Sequence, residues 1–163
     1  TVMWWPGKIP AGTVCREPAM TIDILPTIAE LIGADLPDRI IDGKNIWPIL
    51  SEPGARTPHE AFYYYFGNEL HAVRSGNWKL RLETTLRDED IYRRIANRDT
   101  PMPEALYNLD VDPGEQKSVR KDHPDVLKRL HELADKARQD LGDARTGVTG
   151  QNVRPIGTLE DVG

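Results

Sequence analysis

The sequence predicts an α+β fold: a four-stranded antiparallel sheet packed by a long C-terminal helix, preceded by a strand-and-helix segment. Three observations predict it. Residues 61–83 carry aromatic and alternating apolar–polar runs broken by Gly-containing turns, the pattern of half-buried antiparallel strands. Residues 124–141 repeat apolar side chains at helical spacing. Between residues 51 and 58 a polar stretch rich in Pro and Gly separates these elements from a different N-terminal third.

Each element has its own reason. Val2 to Trp5 reads as a short strand, with turns at Pro6-Gly7 and at Pro10-Ala11-Gly12 and a further break at Pro18. Thr21 to Ile32 reads as a helix with Thr21 as N-cap and one apolar face of Ile24, Leu25, Ile28, Leu31 and Ile32. Pro26 falls near its first turns, where proline is tolerated, and Gly33 stops it. Asp35 to Asn45 is a loop. Ile46 to Leu50 is a helical turn with Trp47 and Leu50 inward, and Ser51 to Pro58 is the subdomain boundary.

The second half is more regular. Ala61 to Phe66 and Leu70 to Arg74 form a hairpin across Gly67-Asn68. Ser75-Gly76-Asn77 turns into Trp78 to Glu83, where Trp78, Leu80 and Leu82 alternate with Lys79 and Arg81. Residues 84–104 are an insertion, with a short helix over Asp88 to Ala96 whose acids and arginines suit the helix dipole. Leu106 to Leu109 is the fourth strand. Pro124 opens the last helix, Val126, Leu127, Leu130, Leu133, Ala134, Ala137 and Leu141 give its apolar face, and Gly142 ends it. The division is therefore 1–58, 59–141 and an extended tail, 142–163.

Composition narrows the function. The 163 residues suffice for one domain-sized unit with a core. A net charge of −5 with dispersed basic residues argues against nucleic acid. No apolar run approaches the ~20 residues of a membrane span. Thr1 to Trp5 lacks the features of a signal peptide, and periplasmic, secreted and cytoplasmic locations all stay open. A single cysteine excludes an internal disulfide or a cysteine-built metal site, and Cys15 is expected to be buried as a small apolar residue.

Several groups invite a chemical reading. Asp110, Asp112 and Glu115 suggest calcium, but Gly114 stands at the wrong place for an EF-hand loop and no acid closes it; Asp-Pro-Gly reads as a turn. His59, His71, His123 and His131 have no His or Cys at ligand spacing. His71, in a strand, is the histidine to watch. Arg87, Arg93, Arg94 and Arg98 cluster in the insertion, where guanidinium forks suit sulfate oxygens and would rim an anionic-ester pocket. Asp88, Glu89, Asp90 and Asp99 among them equally describe a solvated surface. The substrate-binding candidates are therefore His71, Arg87, Arg93 and Arg94. Phe62, Tyr64 and Phe66 share one strand face and Tyr63 and Tyr65 the other; one face is core, and the other offers a sugar-stacking platform or a packing surface. No nucleophile elbow and no Gly-rich phosphate loop occurs.

Five short runs occur in order: Trp5-Pro6-Gly7-Lys8-Ile9, Asp23-Ile24-Leu25-Pro26-Thr27-Ile28, Asp42-Gly43, Ala72 to Leu80, and Ala105 to Glu115. Together they resemble the C-terminal part of a type I sulfatase, the arylsulfatase family of the alkaline-phosphatase-like superfamily, over about residues 3–157. The resemblance implies that residues 1–58 are the strand-and-helix remnant of a larger α/β sulfatase domain and 59–141 its small C-terminal subdomain. Such enzymes use a formylglycine hydrate as nucleophile on sulfur, with calcium held by Asp and Asn polarising the sulfate. The formylglycine arises from a Cys-x-Pro/Ala-x-Arg sequence. Cys15 is followed by Arg16-Glu17-Pro18-Ala19, so the role does not transfer. No catalytic or metal residue and no cofactor is expected in this chain; calcium and formylglycine are expected only in the full-length parent.

The resemblance thus implies the C-terminal piece of a sulfuric ester hydrolase, inactive alone, which completes the fold and shapes substrate access. Its implied partner is the N-terminal catalytic portion. Apart from that portion, the apolar remnant is expected to self-associate or leave the N-terminal third partly disordered. The alternatives are a stand-alone binding or interaction module on the same scaffold, and a small hydrolase whose site the residues do not reveal.

Overall fold

The computed structural model describes residues 1–84 and 102–154. The chain divides into two compact units, Thr1–Glu60 and Ala61–Gly163.

In the first unit, a 3-10 turn at Thr21–Asp23 leads into α1, Ile24–Ile32. Thr21 is not the cap expected. The carboxylate of Asp23 instead accepts a hydrogen bond from the Met20 backbone N–H at 2.8 Å, the job of an N-terminal cap. Gly33 ends α1 at φ 66, the left-handed conformation glycine allows. Pro26, Thr27 and Ala29 are buried, whereas Ile24, Leu25, Ile28 and Ile32 are exposed. The apolar stripe of this helix therefore faces away from its own unit's core. A second short helix, α2, spans Trp47–Ser51. Ile46 and Ile49 are its buried anchors, rather than Leu50. Trp47 meets Trp5 edge to face at 5.5 Å.

Two expectations fail here. Val2 to Trp5 is not a strand but irregular chain, with Trp4 83% exposed. A strand needs a neighbour for its backbone groups, and no described residue pairs with this run. Cys15 is exposed rather than buried, because it lies in irregular chain between a turn and Pro18.

The second unit is an antiparallel sheet in the order β1-β2-β3-β4 with one helix on it. The strands are β1 Phe62–Phe66, β2 Glu69–Ser75, β3 Trp78–Arg81 and β4 Ala105–Asn108. Tyr63, Val73, Leu80 and Leu106 line up across all four strands. With Leu70 they face α3, Pro124–Leu141, and pack on its Leu130, Leu133, Ala134 and Ala137. Leu70, Val73, Leu80, Leu106 and Leu130 are fully buried, which places the core between sheet and helix. A bridge between Thr84 and Met102 closes the base of the insertion. The expected helix over Asp88 to Ala96 lies outside the described residues.

Beyond α3, the described residues 142–154 fold back on the end of the helix. Gly142 takes φ 84, and residues 143–148 make a tight turn closed by an Asp143–Val148 bridge. Gln151 and Asn152 then donate to the carbonyls of Gln139 and Asp140. The fold-back is held by polar groups in the long-range contacts described below.

Candidate functional site

Three polar clusters stand out. The first is the buried carboxylate of Asp23. Its Oδ1 accepts from Lys44 N at 2.9 Å and lies 2.7 Å from His59 Nε2, while Oδ2 serves Met20 N. Both side chains of the Asp23–His59 pair are almost wholly buried. Thr27 extends the cluster, donating to Asp23 O and accepting from Ile46 N. The loop can come this close because residue 43 is glycine: a Cβ there would sit 2.0 Å from Ile22 O. Two of the short sequence runs, Asp23 to Ile28 and Asp42-Gly43, thus form one structural joint. Spacing rules did not find it because Lys44 and His59 are 21 and 36 residues from Asp23.

The second cluster lies on the sheet face turned away from α3. Strand alternation and register place Phe62, Arg74, Lys79 and Tyr107 in one row, and Tyr64, Ala72, Arg81 and Ala105 in the next. Cations and aromatics meet diagonally. Lys79 Nζ stands 4.9 Å from the Tyr64 ring centre, and the Arg81 guanidinium 5.7 Å from that of Tyr107. Arg81 also donates to Pro103 O at 3.1 Å, and its buried Nε has no hydrogen bond among the described residues. Lys79 pairs with Glu115 at 2.5 Å, and Arg74 Nε donates to Gly76 O. Tyr64, Arg74, Lys79, Leu109, Pro113 and Glu115 line an open cleft of about 330 Å³.

The third cluster joins the turn after α3 to the sheet. Asp143, 1% exposed, accepts from Leu70 N, Arg145 N and Arg138 Nε. Arg145 reaches the carbonyls of Glu83 and Leu70. Burial works against the Arg138 cation, but the Asp143 and Asp135 carboxylates outweigh it and raise its pKa. Tyr65 OH donates toward Gly142 O at 2.9 Å and Ala137 O at 3.2 Å. Burial first, and then the Asp143 charge, push its pKa up to about 12.

The sequence candidates fall as follows. His71 occupies the bulge in β2, where Tyr64 faces Ala72 and Tyr65 faces Leu70. It is half-buried, 3.8 Å from Glu69 and with its ring centre 5.8 Å from that of Phe66. Its carbonyl accepts from Leu82 N, so it lies at the same end of the sheet as the Thr84–Met102 bridge. Arg87, Arg93 and Arg94 lie outside the described residues. Of the other histidines, His123 packs at a tilt against Trp78 at the entrance to α3, and His131 pairs with Glu104.

The acidic turn does not fit calcium. Both carboxylate oxygens of Asp112 accept backbone N–H groups, from Gln116 and Lys117. Those bonds lower its pKa. Glu115 is committed to Lys79. No group of three or more His, Cys, Asp or Glu among the described residues is arranged to hold a metal. The arrangement gives a rigid platform with a cationic–aromatic face.

Comparison with known proteins follows the same line. The Sulfatase_C family pattern, described as the C-terminal region of aryl-sulfatase, matches residues 57–159. Human Arylsulfatase D is 41% identical over 90 residues, covering 51% of this chain and 15% of that protein. The arylsulfatase of Hemicentrotus pulcherrimus is 36% identical over 134 residues, 70% of this chain and 24% of that one. Bovine Arylsulfatase A is 33% identical over 144 residues, 80% and 28% of the two chains. These alignments therefore span only 15% to 28% of their relatives' lengths. Among solved structures, the PsFucS1 sulfatase from Pseudoalteromonas sp. superposes with a TM-score of 0.68 at 20% identity, over 82% of this chain and 28% of that one. That likeness speaks for the fold.

Proposed function

The chain belongs to the family of C-terminal regions of aryl-sulfatase, and from that premise we propose that it works as part of a sulfuric ester hydrolase and is inactive alone. Its role in this reading is to complete the fold of the enzyme and to shape access to the ester. The family match over residues 57–159 carries the proposal. The chain's only cysteine, outside any Cys-x-Pro/Ala-x-Arg sequence, supports assigning the formylglycine nucleophile to a separate catalytic portion. Calcium is assigned there too.

The catalytic portion is the proposed partner, and the exposed apolar stripe of α1 supports it. Ile24, Leu25, Ile28 and Ile32 on one short helix are costly to leave in water, about 1.5–3 kcal/mol for each such side chain once fully covered. Kept apart from that partner, the chain associates with itself through the same stripe. Within the platform, His71 together with Arg87, Arg93 and Arg94 is proposed to rim the substrate pocket. The position of His71 beside Leu82, two residues before the base of the insertion, supports grouping them.

The test is turnover of an aryl sulfate by the purified 163-residue chain, alone and with the catalytic portion of an arylsulfatase. The proposal expects none from the chain alone. Steady hydrolysis that survives purification, and that a Cys15→Ala or His71→Ala change abolishes, would overturn it.

A further inference from the structure

We propose that the cleft between Tyr64, Arg74 and Lys79 on the strands and Glu115 on the turn after β4 binds an anionic group of a sulfated saccharide, at a place separate from the base of the insertion. The saccharide as ligand rests on the sulfatase reading; the anion preference rests on the cleft itself. Its volume, about 330 Å³, falls within the range of small-molecule sites. The chain carries a net charge of −5, yet the cleft is lined by Arg74 and Lys79 against the single carboxylate of Glu115. That local excess of positive charge is complementary to an oxyanion.

The groups are also held in place. The Arg74 side chain is anchored through Nε to Gly76 O and has no other hydrogen bond among the described residues, which leaves its terminal nitrogens for a ligand. A guanidinium so oriented presents a fork to sulfate or carboxylate oxygens. Lys79 is fixed between the Tyr64 ring and Glu115. The half-exposed Tyr64 ring adds an apolar surface and a hydroxyl, and Glu115 accepts from sugar hydroxyls.

Position separates this cleft from the base of the insertion. Arg74 and Lys79 flank the Ser75–Trp78 turn, whereas the insertion leaves the sheet at the Thr84–Met102 bridge. Five residues of extended chain from Lys79 to Thr84 span roughly 15 Å. The cleft thus lies at the other end of β3 from the base of the insertion.

The experiment is calorimetric titration of the 163-residue chain with a heparin hexasaccharide and with its fully desulfated form. The sulfated form binds and the desulfated form does not. Arg74→Gln weakens binding about tenfold or more, as loss of a charge-assisted hydrogen bond implies. Glu115→Gln tightens it, since Lys79 is released from its ion pair. Lys128→Gln, on the exposed side of α3, changes nothing. Thermal melts confirm that each variant is folded. Absence of binding, equal binding of the desulfated sugar, or equal losses in Arg74→Gln and Lys128→Gln would overturn the inference. Activity with the catalytic portion is a separate measurement: binding can fail while complementation succeeds, and the reverse.

Discussion

Replacing Asp143 with alanine should strip the second unit of its deepest polar anchor. The carboxylate is 1% exposed and serves three donors, Leu70 N at 3.4 Å, Arg145 N at 3.2 Å and Arg138 Nε at 3.0 Å. Breaking a buried ion pair from one side costs about 3–5 kcal/mol, and stranding a buried N–H adds about 1–3 kcal/mol. Two features reduce the sum. Arg138 keeps Asp135 as a partner and is partly exposed, and the Leu70 contact is long. A loss of about 3 kcal/mol is the resulting expectation. The assay is urea denaturation followed by helix circular dichroism, which reports mainly on the 18 residues of α3. With a slope near 1.5 kcal/mol per molar urea, the midpoint falls by about 2 M. Asp143→Asn keeps an oxygen for the two backbone donors and loses only charge, so its shift is about half as large. A midpoint change below about 0.5 M for the alanine variant would refute the anchor role.

Two further perturbations follow from the geometry. Tyr65 has its folded-state pKa raised from 10.0 to about 12, so its contribution is complete below pH 10 and is lost as pH rises through that window. Stability measured across this alkaline range should therefore fall less steeply in Tyr65→Phe than in the unaltered chain; equal slopes would contradict the assignment. Gly43→Ala places a methyl 2.0 Å from Ile22 O and must move backbone, costing about 2–4 kcal/mol and shifting the amide resonances of Asp23 and Lys44. Gly114→Ala meets only the Gln116 side chain at 3.5 Å and serves as the silent control.

Local chemistry was legible and distant chemistry was not. The last helix could be read residue by residue, because Pro124, Gly142 and the apolar spacing between them all act within a few turns. The four strands were legible to within one or two residues for the same reason, and Tyr63 and Tyr65 fell on the core side as alternation requires. Val2 to Trp5 was misread because strand propensity says nothing without a neighbouring strand. The Asp23–His59 joint and the Asp143 anchor were invisible because each depends on partners 36 or more residues away. A signal was present all the same. Gly142 and Gly150 face each other so closely that a Cβ on Gly150 would sit 2.4 Å from Gly142 N, so two glycines eight apart marked a fold-back rather than a loose tail. Of the site, the position of His71 in a strand was readable; the cleft at Tyr64, Arg74 and Lys79 needed the register of three strands.

In the proposed role this chain is part of a sulfatase and inert by itself. Hydrolysis of 4-nitrophenyl sulfate tests it most directly, measured for the chain, for the catalytic portion of an arylsulfatase, and for the two refolded together. Turnover is expected only in the combined sample, and is lost again when the stripe of α1 is made polar by Ile28→Asp. Turnover by the chain alone, or full activity of the catalytic portion without it, would contradict the claim.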